Sequence, residues 1–262
     1  MKTITIVILA LCISAPNLFC SEQITIPLTN PDQPGSLVVN HFKGSITVTG
    51  YDGNLVIVDA SLRFPPKNRG GLKQINLASI NLEANENNNR VELSSNSHEK
   101  TIDLQIRVPY HFSLKLQNYD NGPIEVRNLV GEMDISNQNG DINIFNLQGS
   151  AILNTVDGGI KVLFKKVTPN IPMSFSSLEG SIDLSFPGTL QALLKMKSDH
   201  GDIFSDFEIE LNKRTQLAEK SKSSNINKVY LDKWIYGKIN GGGPEFLINS
   251  FNGNLFIRRN AK

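Results

Sequence analysis

The chain has 262 residues, 39% of them hydrophobic and 19% charged, with 26 Lys and Arg against 25 Asp and Glu. A near-neutral chain lacks the basic footprint that general nucleic-acid binding needs. Its two cysteines, Cys12 and Cys20, both lie near the N-terminus, so a chain that starts after Cys20 can form no disulfide, zinc–thiolate site or cysteine nucleophile.

The first element is "MKTITIVILALCISAPNLFC". Lys2 precedes an apolar run from Ile4 to Ile13, which is shorter than the ~20 residues that span a bilayer. It has the length and flank of a secretory h-region. Residues 1–20 are read as a signal peptide, cleaved near Cys20–Ser21. Lipid anchoring at Cys20 is the weaker alternative, because bacterial lipoprotein signals place a small residue before the cysteine and Phe19 is not small. Removing residues 1–20 removes Lys2 and no acid, which leaves 25 bases against 25 acids. No later stretch is apolar and long enough for a transmembrane segment in the mature chain. The expected location is the bacterial periplasm or cell surface.

Residues 21–120 are β-rich and irregular. "GSITVTG" and "GNLVIVDASL" start nine apart, at Gly44 and Gly53. "QINLASINLEA", "NRVELSS" and "TIDLQIRVPYHFSLKLQ" follow with the alternation of strands. "RFPPKNRGG" (63–71) has the composition of an exposed loop. This half is expected to be a sheet that caps the regular part, with no linker between them.

Regularity begins near residue 121. Gly122, Gly131, Gly140, Gly149 and Gly158 fall at every ninth position. Aligned on glycines, two strand types emerge. Type A places apolar residues two and four places after a glycine, as in Ile124/Val126, Ile142/Ile144, Ile160/Val162, Ile182/Leu184 and Leu255/Ile257; Gly201 gives Ile203 alone. Type B places them seven and five places before a glycine, as in Met133/Ile135, Ala151/Leu153, Met173/Phe175, Leu194/Met196 and Phe246/Ile248. Alternation at period two marks a half-buried strand. The unit B–turn–A repeats every 18 to 22 residues between Gly140 and Gly201. Asn139, Asp157 and Asn252 before the glycines supply tight-turn chemistry.

The fold class is therefore all-β: a two-sheet β-solenoid over residues 121–262, in which A stacks on A and B on B, with an N-terminal β-sheet cap. An antiparallel meander is the alternative, and Ile142 decides between them. In the solenoid it lies one rung from Ile160, in one inward column that continues through Ile182 to Ile203; in the meander it pairs with Leu153. "LNKRTQLAEKSKSSNINK" (211–228) interrupts the repeat as an insertion loop, with one short helical turn open to it. Trp234 and Tyr236 are expected to close the C-terminal end.

Catalytic and metal signatures are weak throughout. Ser198, Asp199 and His200 are neighbours on a polar turn, and adjacent residues cannot adopt the nucleophile–base–orienter geometry. His41, His98, His111 and His200 are dispersed without zinc spacing. Calcium β-rolls also repeat at nine, but their second glycine and regular aspartate are missing; Asp141 and Asp202 alone follow glycines. "NGGGPE" (240–245) lacks the Gly-Lys-Ser/Thr of a phosphate loop. Glu125 and Asp183 point outward two or more coils apart, too far for a glycosidase pair. No catalytic residue, cofactor or metal site is expected. The candidate interaction patch is Phe204, Phe256, Trp234 and Tyr236. Phe204 and Phe256 become an exposed pair if their strands are neighbours, and the alternative is that residues 211–240 cover them.

"LQIRVPYHFSLKLQNYDNGPIEV", the repeated "NGDI"-like turns, "PMSFSSLEGSIDLSFP", "LKMKSDHGDIFSDFEIEL" and "INGGGPEFLINSFNGNLFIRR" together resemble the bacterial putative-adhesin family of exported proteins over residues 35 to 260. The resemblance implies an exported β-solenoid domain of unknown function and transfers no catalytic or binding residues. The expectation is a non-enzymatic module of the cell envelope that binds an envelope protein or glycan. A carbohydrate-binding or carbohydrate-cleaving β-helix is the alternative.

Overall fold

Alternation at period two becomes burial at period two. In the strand Ile182–Phe186, Ile182, Leu184 and Phe186 are buried while Asp183 and Ser185 are only half-buried. The computed structural model describes residues 7–9, 21–63, 80, 82–95, 98–212, 218–221, 228–231 and 234–260. Among these, all regular secondary structure is β-strand.

Twenty-one strands join one continuous sheet, most of them in two parallel ladders. The A ladder runs, in spatial order, through Thr101–Pro109, Ile46–Tyr51, Ile124–Arg127, the first half of Ile142–Asp157, Ile160–Val167, Ile182–Phe186, Leu255–Arg259 and Ile203–Ser205. The B ladder runs through Arg90–Ser95, Gly35–Lys43, Phe112–Asp120, Val130–Asn139, the second half of Ile142–Asp157, Met173–Glu179, Glu245–Asn252 and Ala192–Ser198. The long strand Ile142–Asp157 belongs to both and makes the sheet continuous.

Antiparallel strands flank the ladders. Leu55–Arg63 pairs with Thr101–Pro109, and Ser21–Pro27 pairs with Leu55–Arg63. Leu82–Asn87 pairs with Arg90–Ser95, and Ile235–Ile239 with Ala192–Ser198. Val7–Leu9 pairs with Ser21–Pro27; the rest of the expected signal peptide lies outside the described residues. So does the loop 63–71 beyond Arg63. Of the expected insertion, Ala218–Ser221 and Lys228–Leu231 form a separate antiparallel pair, and 213–217 and 222–227 lie outside the described residues.

Ile142 pairs with Ile160 in a parallel register, not with Leu153, so A stacks on A and the meander is excluded. One expectation is corrected. Ile182 does not neighbour Ile203: Leu255 pairs with both. On the other ladder, Ile248 pairs with both Phe175 and Met196. The C-terminal coil, residues 245–259, intercalates between coil 173–186 and coil 192–205. Coils with identical apolar offsets are interchangeable as neighbours, and the C-terminal coil carries both pairs of the pattern. Coil 35–51 likewise lies between coil 90–109 and coil 112–127, so parallel stacking continues into the irregular half.

The corner from B to A is built the same way on rung after rung. Gly140 has φ of 138°, a conformation that costs glycine little and other residues much. A Cβ there would also strike the carbonyl of Gly122 one rung away. Its N–H donates to Asp157 O at 2.7 Å on the next rung. Its carbonyl points inward and takes donors from the side chains of Asn137 at 2.8 Å and Thr155 at 3.1 Å. On successive rungs Ser177 Oγ donates to Gly158 O at 2.8 Å, Ser250 Oγ to Gly180 O at 2.9 Å and Ser198 Oγ to Gly253 O at 2.8 Å. Asn118 Nδ2 serves Gly44 O and Gly122 O. These residues form one inward polar column, in register beside the apolar core. Because a buried carbonyl needs a partner, the column explains most of the polar residues buried in this protein. Seven of the nine among the described residues belong to it: Ser95, His41, Asn118, Asn137, Thr155, Ser177 and Ser250.

Candidate interaction surfaces

The outward residues of the A ladder mix charged and aromatic side chains. One column reads Glu125, Asn143, Lys161, Asp183, Phe256, Phe204, and its neighbour Arg127, Phe145, Leu163, Ser185, Arg258. Arg127 Nε donates to Glu125 at 2.6 Å and Arg258 Nε to Asp183 at 2.8 Å. The same guanidinium groups lie over Phe145 at 4.5 Å and Phe256 at 4.8 Å. Phe204 and Phe256 pair in register and stack, with centroids 5.2 Å apart and planes 12° apart. Intercalation of the C-terminal coil makes them neighbours. Phe204 stays 48% exposed, so it is not covered by residues 211–240 among those described.

Trp234 and Tyr236 do not join that pair. They lie on the far edge of the B ladder, where Tyr236 pairs with Lys195. Lys195 Nζ is 4.9 Å from the Trp234 ring centroid and 5.9 Å from that of Tyr236, and Lys197 Nζ is 5.8 Å from Trp234. The predicted patch is therefore two separate aromatic–cation clusters on different ladders.

A third surface was not anticipated. The outward column of the B ladder nearest the glycine corner reads Phe42, Tyr119, Gln138, Val156, Leu178, Phe251. His98 packs edge-on against Phe42 at 4.1 Å, and His200 against Phe251 at 4.9 Å, at the two ends. The next outward column reads Ser136, Asn154, Ser176, Asn249, and the one beyond it Asp134, Ile152, Ser174, Leu247. In these three columns of the four rungs the one charge is Asp134, which is paired with Lys115 at 3.1 Å; Glu132 and Glu245 lie one column further out. Six of the ten large exposed hydrophobic residues lie on this face: Tyr119, Ile152, Val156, Leu178, Leu193 and Phe251. The signal was present in the sequence. Positions seven, five and three before each glycine face inward, so the place two before it faces out, and Val156, Leu178 and Phe251 occupy it.

The residues considered for chemistry are engaged structurally. Ser198 Oγ caps Gly253 O, Asp199 pairs with Lys197 at 3.2 Å, and the His200 ring packs on Phe251. Asp141 Oδ1 accepts from the Gly159 N–H at 2.7 Å. Glu125 and Asp183 are three rungs apart. Asn240, Gly241 and Gly242 all have positive φ and turn the chain into strand Glu245–Asn252. Among the described residues no three of His, Cys, Asp and Glu gather around one possible ion position. Among the described residues there is no helix long and apolar enough to cross a membrane.

Among the described residues three groups titrate away from their ordinary values: Arg127, raised by its hydrogen bond to Glu125, and His41 and Asp103. His41 is fully buried; its Nε2–H donates to Ile102 O and its Nδ1 accepts from Ser95 Oγ, both at 2.8 Å. Burial holds its pKa below the usual histidine range, against opposing pulls from the Ile102 and Lys43 backbone and the Asp103 carboxylate. Burial by itself would raise the Asp103 carboxyl. Hydrogen bonds from Ser45 N–H, Ser45 Oγ and Arg63 outweigh it and hold the pKa below the ordinary carboxylate value.

A repetitive all-β chain of stacked parallel coils is the class that this fold defines. The chain belongs to the Toastrack DUF4097 family, which it matches over residues 23–232. Among solved structures it is similar to a "putative cell adhesion protein" from Clostridium sporogenes ATCC 15579, at 10% identity and a TM-score of 0.51, covering 92% of this chain and 100% of that one. It is also similar to a "putative adhesin" from Bacteroides fragilis NCTC 9343, at 11% identity and a TM-score of 0.40, covering 93% of this chain and 97% of that one. The first likeness is one of fold. No match was found among curated proteins.

Proposed function

We propose that this protein is an exported, non-enzymatic interaction module of the bacterial envelope. The observation that carries the reading is the uncharged outward face of the B ladder. Val156, Leu178 and Phe251 form an exposed apolar row along it, flanked by a column of serine and asparagine, and contiguous apolar exposure bordered by polar residues marks a binding surface. Depletion of charge is also the compositional mark of an interface core. The paired ladders are the two facing sheets of a β-solenoid, and the antiparallel strands of residues 21–120 cap one end. Residues 1–20 direct export and are removed, which places the module in the periplasm or on the cell surface. The cell-adhesion name of the Clostridium sporogenes structure agrees with such a role.

Against the carbohydrate-cleaving alternative stand Glu125 and Asp183. Each is neutralised by its own arginine, and their separation leaves no shared site for a glycosidic bond. The test is fractionation of cells that express the tagged chain, followed by intact mass of the mature protein and capture from envelope extracts. A mature N-terminus near Ser21, envelope recovery, and capture lost in Leu178→Arg are the expected results. A cytoplasmic, uncleaved chain would sink the reading.

A further inference from the structure

We infer that the occupant of the uncharged face is a second copy of this chain, packed sheet to sheet; the inference rests on reading that face as an interaction surface. Three observations point there. First, the face can meet itself without like-charge repulsion. The three columns nearest the glycine corner hold one charge across the four central rungs, Asp134, at the border and already paired with Lys115. The opposite face carries charge through its middle, with Glu125, Lys161, Asp183 and two arginines, and so lacks the charge-depleted centre of an interface.

Second, the face is large enough. Six rungs at ~4.8 Å, from Phe112–Asp120 to Ala192–Ser198, and about seven residues of strand at ~3.3 Å make roughly 660 Å² of flat area, with Lys115, Lys195 and Lys197 on the two outer rungs as its charged rim. A standard interface takes about 800 Å² of accessible surface from each partner, and side-chain relief brings a flat 660 Å² to that scale.

Third, the apolar residues are ordered in a way that suits a two-fold axis. An axis parallel to the strands lays the corner column on its own copy, running the opposite way. With the axis through Val156, Val156 meets Val156, Leu178 meets the other copy's Gln138, and Phe251 meets the other copy's Tyr119. Such an isologous contact buries each exposed apolar residue of the column against a residue of the same column. Sheets that pack face to face in this way lie ~10 Å apart with their strands nearly aligned.

The experiment is sedimentation equilibrium of the purified chain over a concentration series, with melting temperature measured on every variant. The wild-type chain should be a dimer that dissociates on dilution. Leu178→Arg and Val156→Arg should each weaken the dimer at least ~100-fold, since they bury like charges against one another or against apolar groups. Leu163→Arg on the A face should leave it intact, and all three variants should melt close to wild type. A wild-type chain that stays monomeric at every concentration overturns the inference. So does a dimer that survives both B-face variants, or one that Leu163→Arg dissociates equally. A monomer that binds an envelope glycan or protein through Leu178 overturns self-association and leaves the interaction-module reading standing. A dimer recovered uncleaved in the cytoplasm does the reverse.

Discussion

The two corners of each coil are built on different rules. From B to A five connections have one length: two residues separate Lys43 from Ile46, Asn139 from Ile142, Asp157 from Ile160, Glu179 from Ile182 and Asn252 from Leu255, while three separate Asp120 from Ile124, four Ser198 from Ile203 and five Ser95 from Thr101. From A to B it varies. Two residues separate Arg127 from Val130, five separate Val167 from Met173, five separate Phe186 from Ala192, and the strand Ile142–Asp157 passes through with no break at all. At the first corner a glycine carbonyl turns inward and must be met by a side chain of the polar column. At the second, Asn128 and Asn146 take positive φ at the surface, and Asn146 Nδ2 donates to Asn128 Oδ1 at 2.9 Å. Register is thus set where backbone groups are buried, and length changes are absorbed where they are exposed.

The sharpest test of that contrast is a change at the glycine corner. Gly140→Val should cost ~3 kcal/mol or more, because it forces a β-branched residue into positive φ and onto the Gly122 carbonyl. A Gly-Ser insertion after Asp141 should be at least as damaging. Chemical denaturation measures both, and a melting curve for Gly140→Val that matches Asn143→Val would break the comparison.

Next in size is the polar column. Ser250→Ala removes the side-chain donor that the Gly180 carbonyl uses, which should cost about 1–3 kcal/mol through an unpaired buried acceptor. Thr155→Val should cost less, because Asn137 still donates to Gly140 O. If the two cost the same, the column is not what holds these carbonyls.

His41 ties the column to pH. Its folded pKa lies below the unfolded value of 6.5, so the unfolded chain binds the extra proton between those two values. Stability should be fully present above pH ~6.5 and fall as pH drops through that window, by at most about 1.4 kcal/mol per pH unit for one proton. His41→Asn, which matches its neighbour Asn118 in the column, should flatten that slope between pH 7.5 and 5. An unchanged slope would show that His41 is not its source.

The smallest effect is expected at the other corner. A Gly-Ser insertion after Pro169, within residues 168–172, lengthens an exposed connection and should cost under ~1 kcal/mol. A loss comparable to that of the insertion after Asp141 would erase the difference between the corners.

Much of this was legible in the residues. The glycine spacing with its fixed apolar offsets determined strand, turn and the inward face of each coil, because burial alternates at period two and a buried turn carbonyl tolerates few neighbours. Ile142 against Ile160 follows from that alone. The polar column was legible too, as Asn, Thr or Ser three residues before Gly140, Gly158, Gly180, Gly201 and Gly253, although its purpose appears only when the rung below supplies the carbonyl. Three things were decided by the tertiary structure: the place of coil 245–259 between coils 173–186 and 192–205, the union of Phe204 with Phe256, and the separation of both from Trp234 and Tyr236. The physical reason is that parallel coils of one pattern fit one another in any order. Local sequence sets what a coil is, and long-range packing sets which coil lies beside it.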